Sequence, residues 1–280
     1  MIVNGFIVVT SLLEWKTKQS LKPTDTVLMC LGVTRILFNL VSTVSFIPHL
    51  LPREINIIYD IWAYLNWSGL WFVSLLSIIY CVKITNYNNC VFIYMKLNIS
   101  KLLKWLILGN VLVSLVFILL LKLIKDVSPQ YWINSTEISL KNSTETDINN
   151  YQFIYLFIYY LGSFLPFIMF CVAALLVIRS LLHHTQQIKS SGTGLENSHL
   201  KAHINVIRNM VFLFVLYIVY FVSNAFLLDK RPLTVTIFSY LVPPFYTLIH
   251  SGFLIYSNIR LRITFLGTWR NLLDCTNNQS

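Results

Sequence analysis

Six stretches of this 280-residue chain run for 17 or more residues without an acidic or basic side chain, and basic residues gather in every second gap between them. The stretches are Ile36 to Pro52, Ile61 to Val82, Trp105 to Leu121, Tyr151 to Ile178, Asn209 to Leu228 and Pro232 to Ile259. A helix rises about 1.5 Å per residue and the hydrocarbon core of a bilayer is about 30 Å thick, so about 20 apolar residues make one crossing. Helices satisfy their own backbone hydrogen bonds in lipid, so a chain patterned this way is an all-α membrane protein. The apolar run Thr26 to Thr34 precedes the first stretch, extends that span to Thr26–Leu51 and leaves Arg35 inside it. A further apolar segment, Ile2 to Leu13, has 12 residues and rises only about 18 Å. It lacks the basic start and small-residue cleavage site of a signal peptide and reads as the inner part of a first helix whose outer turns are missing.

The expected architecture is a seven-transmembrane helix bundle over residues 1–258, with a truncated first helix, followed by a tail over 259–280. Its spans fall at about 1–13, 26–51, 61–83, 102–123, 151–182, 204–228 and 233–257. In the tail, Leu261, Phe265, Trp269, Leu272 and Leu273 recur at helical spacing with Arg260, Arg262 and Arg270 available to anionic lipid. That pattern predicts a short amphipathic C-terminal helix lying on the inner leaflet, with Cys275 just beyond it as a plain thiol.

Charge settles the expected sidedness. Of 21 basic residues, 14 fall in the gaps that carry Lys16 to Lys22, Lys83 to Lys104, Arg179 to Arg208 and Arg260 to Arg270, six fall in the alternate gaps, and Arg35 remains in the membrane. Cytoplasmic loops are enriched in Lys and Arg, so the first set faces the cytosol. The formal net charge of +10 is therefore a topology signal and not a nucleic-acid footprint. Two glycosylation acceptors, Asn134-Ser-Thr and Asn142-Ser-Thr, lie in the longest gap of the opposite side, as an outer loop requires. Seven spans then put the N-terminus outside and the C-terminus in the cytoplasm. All five cysteines fall within spans or on the cytosolic side, which excludes an outer disulfide built from them.

The motifs at the span ends form a series. The first helix offers Asn4-Gly-Phe-Ile and then Glu14-Trp15; the second offers Leu31-Gly-Val-Thr-Arg35. The third reads Leu70-Trp71-Phe72, Leu76-Ser77, Tyr80 and Lys83-Ile84. The fifth has Pro166-Phe167, then Ser180 through His184; the sixth has Ala202-His203, Arg208, Leu216-Tyr217 and Tyr220-Phe221; the seventh ends His250-Ser251, Leu254-Ile255, Asn258 and Leu261-Arg262. In this order, over nearly the whole chain, they resemble the type 2 taste receptors, the bitter receptors among the G-protein-coupled receptors. Departures are Arg208 where the family usually has Lys, Phe212-Leu213 for a Ser-Phe pair, and a proline pair displaced to Pro243-Pro244.

The resemblance implies a plasma-membrane receptor that binds small, mostly apolar bitter compounds in an outer-half cavity and activates a gustducin-like heterotrimeric G protein, with no cofactor. Trp62 and Asn66 are four residues apart and share one helix face. The family's pocket uses a Trp and an Asn at these matched positions, and alignment of the other helices adds Tyr220 and Tyr240. Arg35 needs an internal partner, because an ionised side chain at mid-helix costs about 2.5–3.5 kcal/mol on insertion scales. By resemblance it joins Asn4 and the His250-Ser251 region in an activation network, while snorkelling toward the cytosolic interface is the plain alternative. The resemblance also assigns Lys83, Arg179, His203 and Arg208 to the G-protein face.

Other chemistries fit less well. His183, His184, His199 and His203 cluster around the third cytosolic gap without a cysteine or carboxylate set to complete a metal site, so they read as solvated loop histidines. His250-Ser251 lacks a third member for hydrolysis and no nucleophile, base or metal cluster converges elsewhere, which argues against an enzyme. A vomeronasal-type receptor shares the topology with a poorer motif match. A transporter would carry buried acids and paired repeats, whereas every acidic residue here lies in a gap or at a span end.

Overall fold

The computed structural model describes residues 1–45, 55–85, 89–127, 145–191, 196–225 and 242–277. Among these the chain is entirely helical: α1 Ile2–Lys18, α2 Pro23–Ser45, α3 Ile55–Ile84, α4 Cys90–Val127, α5 Glu145–Ser191, α6 Glu196–Ala225, α7 Val242–Ser257 and α8 Ile259–Asn277. Five of them, α2 to α6, contain segments long and apolar enough to cross a membrane.

The helices outrun the apolar stretches that announce them. α1 continues past Leu13 to Lys18, where Gln19 turns left-handed at φ 53° and its N–H closes on the Trp15 carbonyl at 2.8 Å. α4 starts at Cys90, α5 runs to Ser191 and α6 starts at Glu196, so the third basic gap is helical apart from residues 192–195, which lie outside the described residues. His183 is therefore on a helix and not in a loop. Hydropathy registers only the part of a helix that lipid must accept, whereas Lys, Glu and Gln extend helices readily in water.

α3 is the axis of the bundle. It packs on α2, α4 and α5, and α7 closes the ring by touching α1, α2 and α6. Of the most apolar windows, 67% is buried in α3 against 22% in α4, so α3 is enclosed by protein and α4 presents its surface outward. Exposed Trp105, Leu123, Phe153 and Leu175 form part of an apolar exterior that suits lipid rather than water.

One close approach organises the core. Gly162 of α5 lies under the wholly buried indole of Trp67, and a Cβ there would sit 2.9 Å from the ring. Trp67 is held on its other sides by Phe117 and Tyr159, each with ring centroids at 5.6 Å, and donates its indole N–H to Ser163 Oγ at 3.2 Å. One turn on, Pro166 interrupts the α5 hydrogen-bond ladder. Ser74 of α3 donates its hydroxyl to the Pro166 carbonyl, which ties α3 to α5 at the proline.

Candidate functional site

Three helices meet at Arg35. Its Nη1 donates to Ser251 Oγ at 2.7 Å, and that hydroxyl lies 2.6 Å from Asn4 Oδ1 and 2.7 Å from the Thr247 carbonyl. Arg35, Ser251 and Asn4 are all buried. Ser251 has one proton, so it donates to Asn4 or to its own helix but not to both at once. Among the described residues no carboxylate lies within ion-pair distance of Arg35. The guanidinium donates to a neutral acceptor, the Ser251 hydroxyl, and α1, α2 and α7 are tied through that one group. His250 does not join this hydrogen-bonded set. Its ring faces Tyr246 with centroids 5.7 Å apart, and its two nitrogens and the Tyr246 hydroxyl have no hydrogen-bond partner among the described residues.

Trp62 and Asn66 share a face at the Ile55 end of α3 but turn to different neighbours. Trp62 donates its indole N–H to Ser42 Oγ of α2 at 3.1 Å and packs on Phe38 at 5.6 Å. Asn66 reaches α6, where the Tyr220 hydroxyl lies 2.6 Å from Nδ2 and 2.9 Å from Oδ1. A phenol both donates and accepts, so this pair is a hydrogen-bonded link between α3 and α6. Tyr220 also packs on Tyr246 of α7 with centroids 4.8 Å apart. Tyr246, absent from the sequence-based set, thus stands between the Asn66–Tyr220 pair and the turn that carries His250 and Ser251. It missed selection because one more tyrosine in an aromatic-rich chain carries no periodic signal. Tyr240, Asn134 and Asn142 lie outside the described residues.

At the opposite end of the bundle, Lys83, Arg179 and Arg208 are solvent-accessible on α3, α5 and α6, and His203 sits on the first half of α6. Arg260 does not remain available to lipid as the tail pattern had implied. It grips Asp25 bidentately, with Nη1–Oδ2 at 2.9 Å and Nη2–Oδ1 at 2.8 Å, and also pairs with Glu14. The start of α8 is thereby clasped to α1 and α2 by a planar fork matched to a carboxylate. Partial burial pulls the Arg260 guanidinium below its ordinary pKa, yet it stays charged. Opposite charges at neighbouring span ends were the available sequence signal, and only the fold shows which ones meet. Beyond Arg260, Phe265 of α8 meets Phe6 of α1 edge-on at 5.2 Å, while Arg262 and Arg270 are exposed.

Three cavities lie toward this basic end. One of about 130 Å³ lies between α3, α6 and α7 and is lined by Ser77, Tyr80, Asn209, His250 and Ser257 among others. The others, of about 350 and 270 Å³, share Lys22, Thr24 and Lys83. Among the described residues no cluster of His, Cys, Asp and Glu is placed to hold a metal ion.

Residues 1–272 match the sequence profile of taste receptor protein (TAS2R). The chain is 34% identical over 230 residues to taste receptor type 2 member 4 of Pan troglodytes, covering 80% of this chain and 76% of that protein. It is 30% identical over 282 residues to type 2 member 41 of Pan paniscus, covering 94% and 88% of the two chains. With type 2 member 9 of Pongo pygmaeus it shares 28% over 278 residues, 94% of this chain and 87% of the other.

Proposed function

Because the chain belongs to the type 2 taste receptor family and is thus a bitter taste receptor and a multi-pass membrane protein, we propose that its bitter ligand acts on the α3–α6 link. In this reading α1 to α7 all cross the plasma membrane, with the N-terminus outside, Asn134 and Asn142 glycosylated, and α8 along the inner leaflet. The ligand is a small, mostly apolar compound held among Trp62, Asn66 and Tyr220, with Tyr240 as a further contact.

The observation that carries this reading is the buried Asn66–Tyr220 pair, in which each partner satisfies the other. A ligand whose polar group both donates and accepts can insert between the two and bond each of them, so neither is left stranded and the exchange is nearly neutral in hydrogen bonds. What changes is geometry: α6 is released from α3. Tyr220 then moves against Tyr246, and α7 carries that motion to Ser251, whose single proton chooses between Asn4 and Thr247. A ligand shifts this equilibrium only by its difference in affinity for the two arrangements, and 1.4 kcal/mol of difference gives about tenfold. The readout is at the basic end, where Lys83, Arg179, His203 and Arg208 present a positive face to a gustducin-like heterotrimeric G protein.

The test is calcium imaging of cells carrying the chain and a chimeric G protein, challenged with a panel of bitter compounds and normalised to surface expression. Asn66→Ala, Tyr220→Phe and Trp62→Ala should each shift half-maximal concentrations about tenfold or more for at least some agonists. Dose–response curves unchanged by all three substitutions would remove the pocket from this end of the bundle.

A further inference from the structure

The cavity of about 350 Å³ lies between the first turn of α2, the last turns of α3 and the first third of α4; of the residues assigned to the G-protein face it takes in Lys83, and no residue of α5 or α6 lines it among the described residues. Its rim carries Lys22, Lys83 and Lys96, and its wall is made of Ile79, Val82 and Ile99. Among the described residues no carboxylate lines it. Asp25 lies in the adjoining cavity, which shares Lys22 and Lys83, and each of its oxygens accepts from Arg260. From the structure we infer that this cleft binds the headgroup of an anionic inner-leaflet phospholipid, with the three lysines on its phosphates and the start of an acyl chain against the isoleucines and Val82.

Two further features point to an anion there. Lys96 reaches across from α4 to donate to the Thr85 carbonyl at the end of α3 at 3.4 Å, so its ammonium is fixed on the rim of the cavity that Lys83 also lines. The start of α2 contributes through side chains: Lys22 and Thr24 both line the same space, while Pro23 has no N–H and the Asp25 and Thr26 N–H groups close on the Lys22 carbonyl at 2.9 and 3.0 Å. Three lysines around one cleft favour a group with more than one negative charge. The apolar wall favours a lipid over an acidic peptide, since a carboxylate-bearing loop has no use for it. Depth agrees, because the cleft lies at the ends of three membrane helices where headgroups sit. Basic pockets of this type between transmembrane helices are the form in which proteins take up anionic lipid headgroups.

The inference rests on the proposed orientation only for which leaflet supplies the lipid, so the experiment uses nanodiscs, where both faces are accessible. Purified full-length chain in phosphatidylcholine nanodiscs is titrated with fluorescent phosphatidylinositol 4,5-bisphosphate, with soluble inositol 1,4,5-trisphosphate as a second probe. Each of Lys22→Gln, Lys83→Gln and Lys96→Gln should weaken lipid binding about fivefold, the factor corresponding to about 1 kcal/mol per basic residue, and the triple variant about a hundredfold. Removing equal charge elsewhere, at exposed lysines that do not line the cleft, in Lys16→Gln/Lys104→Gln/Lys122→Gln, should weaken it less than twofold. Ile99→Trp, which fills the cleft and keeps every charge, should weaken it tenfold or more, and thermal melts in neutral lipid identify any variant that fails to fold. Equal losses in the two triple variants, undiminished binding by Ile99→Trp, or equal affinity for the soluble trisphosphate would overturn the proposal. So would a triple variant that lowers G-protein activation in neutral nanodiscs while lipid binding stays intact, since the cleft would then be a protein contact.

Discussion

Ser251→Ala should destabilise the receptor far more than the loss of one hydroxyl from a helix surface. The substitution deletes the group that accepts from Arg35 Nη1 at 2.7 Å and approaches Asn4 Oδ1 at 2.6 Å, and it leaves both partners buried. A hydrogen bond to a charged group contributes about 1.5–3 kcal/mol, and a neutral interhelical one in a membrane bundle about 0.6–1.7 kcal/mol. Together they set an expected cost of about 3 kcal/mol, or a fall of about 6–12 °C in apparent melting temperature at 2–4 °C per kcal/mol. The charge dominates that sum, which gives a second test. Arg35→Met keeps an apolar side chain of similar length and removes the ion, and replacing a buried ion by a well-packed apolar group is often neutral or stabilising. In that background Ser251→Ala should cost under about 1 kcal/mol, so the two changes should be strongly non-additive. Both are read by tryptophan fluorescence melts in detergent at one fixed scan rate, because unfolding of such a protein is irreversible. A Ser251→Ala melt within about 2 °C of the parent, or additive shifts in the double variant, would mean that Arg35 draws its support from elsewhere.

Gly162→Ala should cost about 1–3 kcal/mol, because the new methyl meets an indole that Phe117 and Tyr159 prevent from moving; a companion Trp67→Phe should restore part of the melting temperature, and no recovery would point to a backbone cause. Arg260→Gln should lower stability by about 2 kcal/mol, less than the loss of a wholly buried pair because water still reaches the guanidinium, and Asp25→Asn in the same chain should recover much of it. Tyr220→Phe leaves the Asn66 amide without its α6 partner and should lower the melting temperature by about 2–4 °C, the equivalent of about 1 kcal/mol. If bound agonist does not reduce that difference between Tyr220→Phe and the parent chain, it does not act at this link.

Arg35 shows how far a sequence alone can reach. A cation inside an apolar span must either find a partner or snorkel to the interface; cost alone left both open, and the family resemblance pointed to the partner. The family motifs also named Asn4 and Ser251, which the structure places with it. Trp62 and Asn66 show the limit. Helical spacing put them on one face, but a residue four positions on also rotates by about 40°, and with three helices packed around α3 that rotation changes the neighbour from α2 to α6. Arg260 shows a second limit. The helical pattern of the tail treated it as one of three equivalent cations, and nothing local distinguishes it from Arg262.

Membrane class, the number of apolar segments, the charge bias and the family were all properties of the sequence, because each depends on residues close together along one chain segment and on the thickness of a bilayer. Tertiary structure decided which polar groups close on each other. Asn66 with Tyr220, Arg35 with Ser251, and Arg260 with Asp25 join residues 154, 216 and 235 positions apart. Such pairs are chosen by how helices rotate and pack against one another, and a buried hydrogen bond forms only where that packing brings donor and acceptor within about 3 Å.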